Sequence, residues 1–238
     1  MTLPSLREWE MPGIAPHKMI QFQDVSKHYD NQTALRKISF FVDRGEMVFI
    51  TGPSGSGKTT LLKMIYMAEK PDEGTITVSD TELMQMKESD VPALRRNIGV
   101  VFQDFRLLDN RDVFENIAIA LRIRNIDERE IKAKVFESLK LVNLRHKSDH
   151  YPTTLSGGEQ QRIAIARAIV SEPMILLADE PTGNVDPDTS TGIIKTFKEI
   201  NARGTTIMLA THNRELFRNS GKRVLKLDFG NYAGEELG

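Results

Sequence analysis

Residues 52–59 read GPSGSGKT and decide the fold, because they satisfy the spacing G-x-x-x-x-G-K-[ST]. The run before them, MVFIT at 47–51, is apolar on both faces, as is typical of a strand in a covered parallel sheet. The run after them, TTLLKMIYM at 59–67, has a helical pattern. A strand, a glycine-rich loop and a helix in this order predict a phosphate-binding loop, in which backbone N–H groups and the positive end of the helix face an anion.

The side chains of this loop suit a nucleoside triphosphate with Mg²⁺. Lys58 is expected to reach the β- and γ-phosphates, and the Thr59 hydroxyl is expected to be a magnesium ligand. A flexible Gly/Ser turn is the alternative, and a chance match to this spacing is expected in roughly one of a hundred chains of this length. We therefore predict nucleotide contacts from the whole loop and its flank: Gly52, Pro53, Ser54, Gly55, Ser56, Gly57, Lys58, Thr59 and Thr60.

A second apolar run, ILLADE at 175–180, ends in two adjacent carboxylates. Adjacent strand residues point to opposite faces, so the two acids are expected to have different roles. Ligands of open α/β sheets bind where strands end, and we predict that Asp179 holds Mg²⁺ through its water shell. Glu180 is expected to lie nearer the γ-phosphate and to polarise the attacking water. Acidic residues often end strands, so the pair carries weight only together with the phosphate loop.

Composition and charge exclude several classes of protein. The chain has 238 residues, with 32 Lys+Arg against 33 Asp+Glu and a formal net charge of −1. We therefore expect no nucleic-acid partner bound through bulk positive charge. The absence of cysteine excludes disulfides, thiolate zinc sites and iron–sulfur clusters. No apolar run reaches the length of about 18 residues that spans a bilayer.

Short apolar runs alternate with helical patterns from Met19 onward, which indicates the α/β class. Residues 1–18 contain three prolines and no periodic pattern, and we expect a flexible extension there. Between 104 and 172 the pattern is helical, so the domain at 19–238 is expected to carry an inserted helical subdomain. Strands are predicted at 20–25, 37–42, 47–51, 75–78, 98–102, 174–178, 206–210 and 223–227, and helices at 58–67, 112–123, 128–142, 157–170, 188–202 and 214–219.

A third motif, LSGGEQQR at 155–162, leads into one of these helices. Ser156 and Glu159 have the spacing of a capping box, so a well-capped structural helix is one interpretation. That interpretation leaves Gly157 and Gly158 unexplained, although each glycine lowers helix propensity by about 1 kcal/mol relative to alanine. The two glycines make sense if bare N–H groups must meet an anion.

At this point the chain resembles the ATP-binding-cassette (ABC) ATPases, whose signature motif is LSGGQ, and the resemblance covers residues 19–228. It implies a P-loop NTPase fold of the ABC type, with a mixed-sheet core. Position by position, it implies that Tyr29 stacks on adenine and that Gln103 contacts Mg²⁺ or the water as a sensor of the γ-phosphate. It also implies that Asp186 lies at a dimer seam and that His212 contacts the γ-phosphate. The catalytic residues are then Glu180, His212 and Gln103, the metal ligands are Thr59, Gln103 and Asp179, and the nucleotide contacts include Ser156, Gly157, Gly158 and Glu159.

Within the family, the stretches at 45–63, 94–118 and 176–187 resemble the cell-division members. The resemblance implies an ATP-hydrolysing homodimer, peripheral on the cytoplasmic face of the inner membrane, that drives an integral membrane permease to activate septal cell-wall hydrolases. The alternative is the ATPase subunit of a lipoprotein-release, macrolide-export or other ABC transporter. DNA-repair ATPases of this kind separate the phosphate loop from the signature by hundreds of residues, whereas 98 residues separate Lys58 from Ser156 here. A metabolite kinase that uses only the phosphate loop has no use for the signature motif.

Overall fold

Two β-sheets organise the chain in the computed structural model, which describes residues 18–30 and 32–238. In the central sheet, five strands run parallel and one edge strand is antiparallel, which confirms the predicted mixed-sheet core. Its strands are, in spatial order, β10 (Asn231–Leu237), β9 (Arg223–Asp228), β3 (Met47–Thr51), β8 (Thr206–Ala210), β7 (Ile175–Asp179) and β6 (Ile98–Val101).

The parallel register brings the carboxyl ends of these strands to one edge of the sheet. Asp179 at the end of β7 is opposite Ala210 at the end of β8, and Ile50 of β3 is opposite the same Ala210 from the other side. Each of the predicted motifs at 52–59, 179–180 and 211–213 therefore begins at the same edge. The topology alone places them close together.

The second sheet is antiparallel and covers one face of the central sheet. Its strands are, in spatial order, β2 (Gln32–Asp43), β1 (Lys18–Tyr29), β4 (Glu73–Val78) and β5 (Thr81–Glu82). β3 separates the two cores: Val48 and Ile50 pack toward the second sheet and α1 (Lys58–Ile65), whereas Met47 and Phe49 pack on the opposite face. This division explains why MVFIT is apolar at every buried position.

The opposite core is built from helices. α3 (Val113–Arg122), α4 (Glu128–Leu141) and α5 (Gly157–Ile169) pack against one another and belong to one apolar cluster with α6 (Pro187–Ala202). The first three lie inside the stretch at 104–172, and we retain the proposal that this stretch is a subdomain. No helix within residues 18–30 and 32–238 is long and apolar enough to cross a membrane.

Several elements differ from the sequence prediction. The helix expected at 214–219 is a single 3₁₀ turn, Arg214–Leu216, capped by Asn213 and followed by Asn219 at a φ of 58°. A segment this short gains too few backbone hydrogen bonds to offset helix nucleation. The short helix α2 (Val91–Arg96) and strand β10 were not predicted, and Lys18 begins β1 instead of ending the extension. The rest of that extension, residues 1–17, lies outside the described residues.

Candidate nucleotide site

A cleft of about 600 Å³ opens at the carboxyl edge of the central sheet. It gathers most of the predicted nucleotide and catalytic residues on one surface, with Tyr29 at its rim and 39% exposed. The predicted residues that line it are Tyr29, Pro53, Ser54, Gly55, Ser56, Gly57, Lys58, Thr59, Thr60, Gln103, Asp179, Glu180 and His212. The chain thus brings predicted residues from five separate segments into one site.

Lys58 closes the phosphate loop on itself. Its Nζ donates to the carbonyl oxygens of Gly52 at 2.8 Å and Pro53 at 3.1 Å, and lies 3.9 Å from Glu180 Oε1. The Lys58 side chain is only 7% exposed, so its ammonium is largely desolvated. The attraction between this charge and a bound anion is stronger there than it would be in water.

Glycine is required at the base of the loop for a steric reason. Gly57 has a φ of 98°, and a Cβ there would lie 2.5 Å from Leu35 Cδ2. A Cβ on Gly52 would lie 2.1 Å from the carbonyl oxygen of Leu227. The loop can therefore pass close to neighbouring strands, and the N–H groups of the first turn of α1 stay near the cleft.

The Asp179 carboxylate is largely buried, and one of its oxygens accepts no hydrogen bond from the described residues. Burial raises the pKa of Asp179, while the Thr59 side chain beside it acts in the opposite direction. Among the described residues, Asp179 Oδ1 is buried without a hydrogen-bond partner, and so is the Ser56 hydroxyl of the phosphate loop. A hydroxyl and a carboxylate side by side are oxygen donors of the kind that Mg²⁺ prefers, so these residues fit a magnesium–nucleotide complex.

Glu180 and His212 form a hydrogen-bonded pair over the cleft. Glu180 Oε1 accepts from the backbone N–H of His212 at 3.1 Å and lies 2.9 Å from His212 Nδ1. The Glu180 backbone has a φ of 46°, and its N–H donates to the carbonyl of Ala210, so the residue turns away from the line of β7. The Glu180 side chain is 12% exposed and that of His212 is 67% exposed, so the histidine faces solvent and the carboxylate faces inward.

The loop after β6 carries Gln103 and is held from two sides. The Asn184 amide donates to the Gln103 carbonyl at 3.0 Å. Phe105 and Arg106 both have left-handed backbones, with φ of 55° and 51°, although neither is glycine. Arg167 of α5 donates to both of their carbonyls, at 2.7 and 2.5 Å, and thereby stabilises this unusual shape. Because α5 also begins at the signature motif, Arg167 connects the loop after Gln103 to the helix that carries the signature.

The signature residues lie outside the cleft of their own chain. Ser156 caps α5 through a complete capping box with Glu159, which confirms that local prediction. The hydrogen bond from the Ser156 backbone and the nearby Lys147 ammonium lower the pKa of Glu159. A Cβ on Gly158 would lie 2.6 Å from Thr189 Cγ2, so packing against α6 explains this glycine without an anion.

Asp186 and Gly157 also belong to this second surface. Asp186 is the N-cap of α6, where its carboxylate accepts from the Thr189 N–H at 2.9 Å. The Thr189 side chain, followed by this N–H, lowers the pKa of Asp186. A Cβ on Gly157 would meet the Asn184 carbonyl at 3.3 Å. Neither residue lines the cleft.

Sequence reasoning missed two residues that line the cleft and one that shapes the loop beside it. Gln32 and Ala34 line the cleft because they begin β2, directly after the Tyr29 hairpin. Asn116 is fully buried in α3, and its amide bonds both the N–H and the carbonyl of Leu108. The positions of Gln32 and Ala34, close to Tyr29 in sequence, could have indicated that they line the cleft. Asn116 lies in no motif, so the sequence carried no signal for its role.

Comparisons with known proteins agree with this geometry. A model of the family described as "ABC transporter" matches residues 35–183. The chain is 50% identical to the cell division ATP-binding protein FtsE of Bacillus subtilis strain 168, over 89% of this chain and 93% of that protein. It is 45% identical to FtsE of Escherichia coli K12, over 91% of this chain and 98% of that protein.

Solved structures give the same result for the fold. The dimeric structure of MJ0796, described as a bacterial ABC transporter cassette, has a TM-score of 0.85 and 35% identity, covering 92% of this chain and 98% of that one. A post-hydrolysis state of MJ0796 bound to ADP and Pi has a TM-score of 0.85 and 34% identity, over the same shares of the two chains. With its cleft, its signature helix and its relatives in agreement, this chain belongs to the ABC transporter family.

Proposed function

We propose that the chain is the ATP-hydrolysing subunit of a bacterial cell-division complex, in which it dimerises on ATP and drives an FtsX-like integral membrane permease. The convergence of Lys58, Glu180 and His212 in one cleft carries the ATPase part of this proposal. The likeness to FtsE over nearly the whole chain supports the cell-division part. Activation of septal cell-wall hydrolases through the permease is the output that this proposal implies.

ATP is the substrate that fits the cleft. The phosphates would lie along the loop at 52–60, with Lys58 at the β- and γ-phosphates, and the base would stack on Tyr29. Thr59, Asp179 and Gln103 would hold Mg²⁺, which when bound neutralises charge on the β- and γ-phosphate oxygens. The orphaned Asp179 Oδ1 is the observation that supports this ligand set.

The chain's own residues then account for hydrolysis. The inward-facing Glu180 carboxylate would accept the proton of a water that attacks the γ-phosphate. His212 holds that carboxylate through two contacts and offers an exposed ring to the γ-phosphate. Gln103 lines the same cleft, and its side chain lies near Gly183, beside Glu180.

Two copies would assemble head-to-tail, because the signature residues do not reach the cleft of their own chain. Ser156, Gly157, Gly158 and Glu159 of one copy would cover the nucleotide of the other, with Asp186 at the seam. A two-fold arrangement makes both sites equivalent. The MJ0796 structures, which are dimeric, support a dimer of two copies.

Co-purification tests the choice of partner. The tagged chain is expressed in its own bacterium, the membranes are solubilised in detergent, and the bound integral membrane subunit is identified by mass spectrometry. We expect an FtsX-like permease, with the ATPase peripheral on the cytoplasmic face of the inner membrane. Recovery of a lipoprotein-release or macrolide-export permease instead would contradict the cell-division role and leave the ATPase assignment intact.

Replacing the loop lysine tests the nucleotide site. Lys58→Ala is expected to weaken Mg-ATP binding by about 2–4 kcal/mol, because it removes a buried charge from the phosphates. Isothermal titration calorimetry measures the effect. Lys70→Ala is the matched control, since Lys70 is exposed and pairs at 3.6 Å with Glu88, which is also exposed. Unchanged Mg-ATP affinity in Lys58→Ala would show that the phosphate loop has been misassigned.

The loop after Gln103 is the proposed contact with the permease. Leu107 packs on the helical core, whereas Leu108 is 41% exposed on a backbone that Asn116 holds in place. Leu108→Asp is therefore expected to leave the melting temperature and ATP binding unchanged while abolishing pull-down of the solubilised permease, because buried apolar anchors dominate such contacts.

The control for this prediction is Leu237→Asp, which places the same charge on a residue that is 78% exposed in β10. That variant is expected to retain the permease. Phe105→Ala is a second probe, since Phe105 is half-buried beside Gly157. A melting temperature lowered by many degrees in Leu108→Asp would mean that Leu108 belongs to the core and that the permease docks elsewhere.

A further inference from the structure

The aromatic ring at the rim of the cleft is covered on one side by a cation. Lys27 Nζ lies 5.3 Å from the centroid of the Tyr29 ring. The two residues are two positions apart in β1, which puts their side chains on the same side of the strand. Tyr29 is one of the residues that line the cleft, whereas Lys27 is not.

Lys27 is itself held in place by the carboxylate of Asp72, which directly precedes β4. Lys27 Nζ donates to Asp72 Oδ1 at 3.2 Å, and the Lys27 side chain is only 13% exposed. Asp72 Oδ2 accepts from the His28 N–H at 2.6 Å, and the Asp72 N–H donates to the Ser26 carbonyl at 3.0 Å. Three hydrogen bonds thus tie the end of β1 to the residue that precedes β4.

The same contacts keep the carboxylate charged. The His28 backbone bond, followed by the Lys27 ammonium, lowers the pKa of Asp72. At neutral pH the carboxylate is therefore charged and pairs with the Lys27 ammonium at 3.2 Å. A cation fixed over a ring attracts its π-face and limits the rotation of the ring.

We propose that Lys27, anchored by Asp72, is a positioning residue for the nucleotide base: it fixes the Tyr29 ring and leaves one face free for adenine. A ring that is fixed before binding loses less conformational entropy when the base stacks on it. This inference rests on the proposed function, in which ATP occupies the cleft. It assigns to Lys27 a role in base binding alone, with no role at the phosphates.

Comparing two ligands separates base binding from phosphate binding. Lys27→Met keeps the length of the side chain and removes its charge. Its affinity for Mg-ATP is expected to fall about three- to tenfold, the scale of a partly desolvated cation–π contact. Its affinity for magnesium tripolyphosphate, which has no base, is expected to stay at the parent value. Calorimetry on the full chain measures both, and Lys27→Arg is expected to restore Mg-ATP affinity.

The chain supplies a matched control at the other end of the same strand. Lys18 Nζ lies 4.9 Å from the Phe41 ring, in a cation–π contact that is not part of the cleft. Lys18→Met is expected to bind both ligands like the parent. Asp72→Asn is expected to reproduce the loss of Lys27→Met in weaker form, because Lys27 keeps its charge but loses its anchor.

Three results would overturn the inference. The first is parent-like Mg-ATP affinity in Lys27→Met. The second is an equal loss of tripolyphosphate affinity, which would show an effect through the fold or the phosphate loop. The third is parent-like Mg-ATP affinity in Tyr29→Ala, because the base would then not lie on this ring. Failure of the proposed ATP site is distinguishable, since the unmodified chain would then bind neither ligand, and failure of the cell-division role alone would leave all of these affinities unchanged.

Discussion

Glu180→Gln is expected to lower ATP turnover by at least about a hundredfold, the scale for removing a general base, while Mg-ATP binding persists. The amide keeps the size of the side chain and an oxygen that can accept from the His212 N–H, so the local structure is retained. It removes the charge that would polarise the attacking water. The variant is therefore expected to accumulate as an ATP-bound dimer.

Phosphate release and gel filtration with Mg-ATP measure the two parts of this prediction. Glu172→Gln is a suitable control, because Glu172 is an exposed carboxylate that does not line the cleft. Its side chain pairs with Lys134 at a distance of 2.8 Å. That variant is expected to hydrolyse ATP like the parent. If Glu180→Gln retained turnover and Asp179→Asn alone were inactive, the catalytic carboxylate would have to be Asp179 or another group.

The central part of the fold, the phosphate loop and the two carboxylates of the cleft were predictable from local sequence, whereas Tyr29, Gln103 and His212 came from the family resemblance. The strand at 47–51 is apolar at four successive positions because its two faces pack into two different cores. The strand at 175–179 is apolar for the same reason, and both end at the edge where the ligand loops begin. A parallel sheet brings motifs that follow its strands to one edge, even when they are far apart in sequence. The motif types and their order were therefore sufficient to predict that the phosphate loop and the two carboxylates lie in one site.

Contacts between distant residues were not predictable. Phe105 and Arg106 adopt left-handed backbones without glycine because Arg167, some 60 residues later, binds their carbonyls. Lys27 pairs with Asp72 across 45 residues, and no local pattern connects the two. Local propensity reports neither kind of contact, because both depend on which elements the tertiary fold brings together.

The signature glycines show how one residue can have two physical explanations. From sequence, both glycines pointed to an anion, since they weaken the helix that they begin. In the structure, Gly158 leaves space for Thr189, which lies three residues after Asp186. Close packing between α5 and α6 therefore holds the signature and Asp186 on one surface, where a second copy could meet both.

Ser156→Arg is expected to abolish ATP hydrolysis and ATP-dependent dimerisation, because it puts bulk and charge where the other copy's γ-phosphate would lie. The phosphate loop of the substituted chain is untouched, so each monomer is still expected to bind nucleotide. Loss of the α5 cap lowers stability by about 1 kcal/mol on its own. Asp127→Ala controls for that loss, since Asp127 caps α4 through the Arg129 N–H and is not part of the cleft.

Mixing two inactive variants tests the shared site directly. A dimer of one Ser156→Arg chain and one Lys58→Ala chain has one site with both substitutions and one site with neither. Half of randomly paired dimers are mixed and each has one intact site, so activity should recover to at most roughly a quarter of the parent value. Recovery requires that the signature act on the partner's nucleotide, because substitutions within independent monomers cannot complement each other. If mixing restores nothing and dilution leaves the specific activity of the parent unchanged, the active unit is a monomer and Ser156 has no role at a second chain's site.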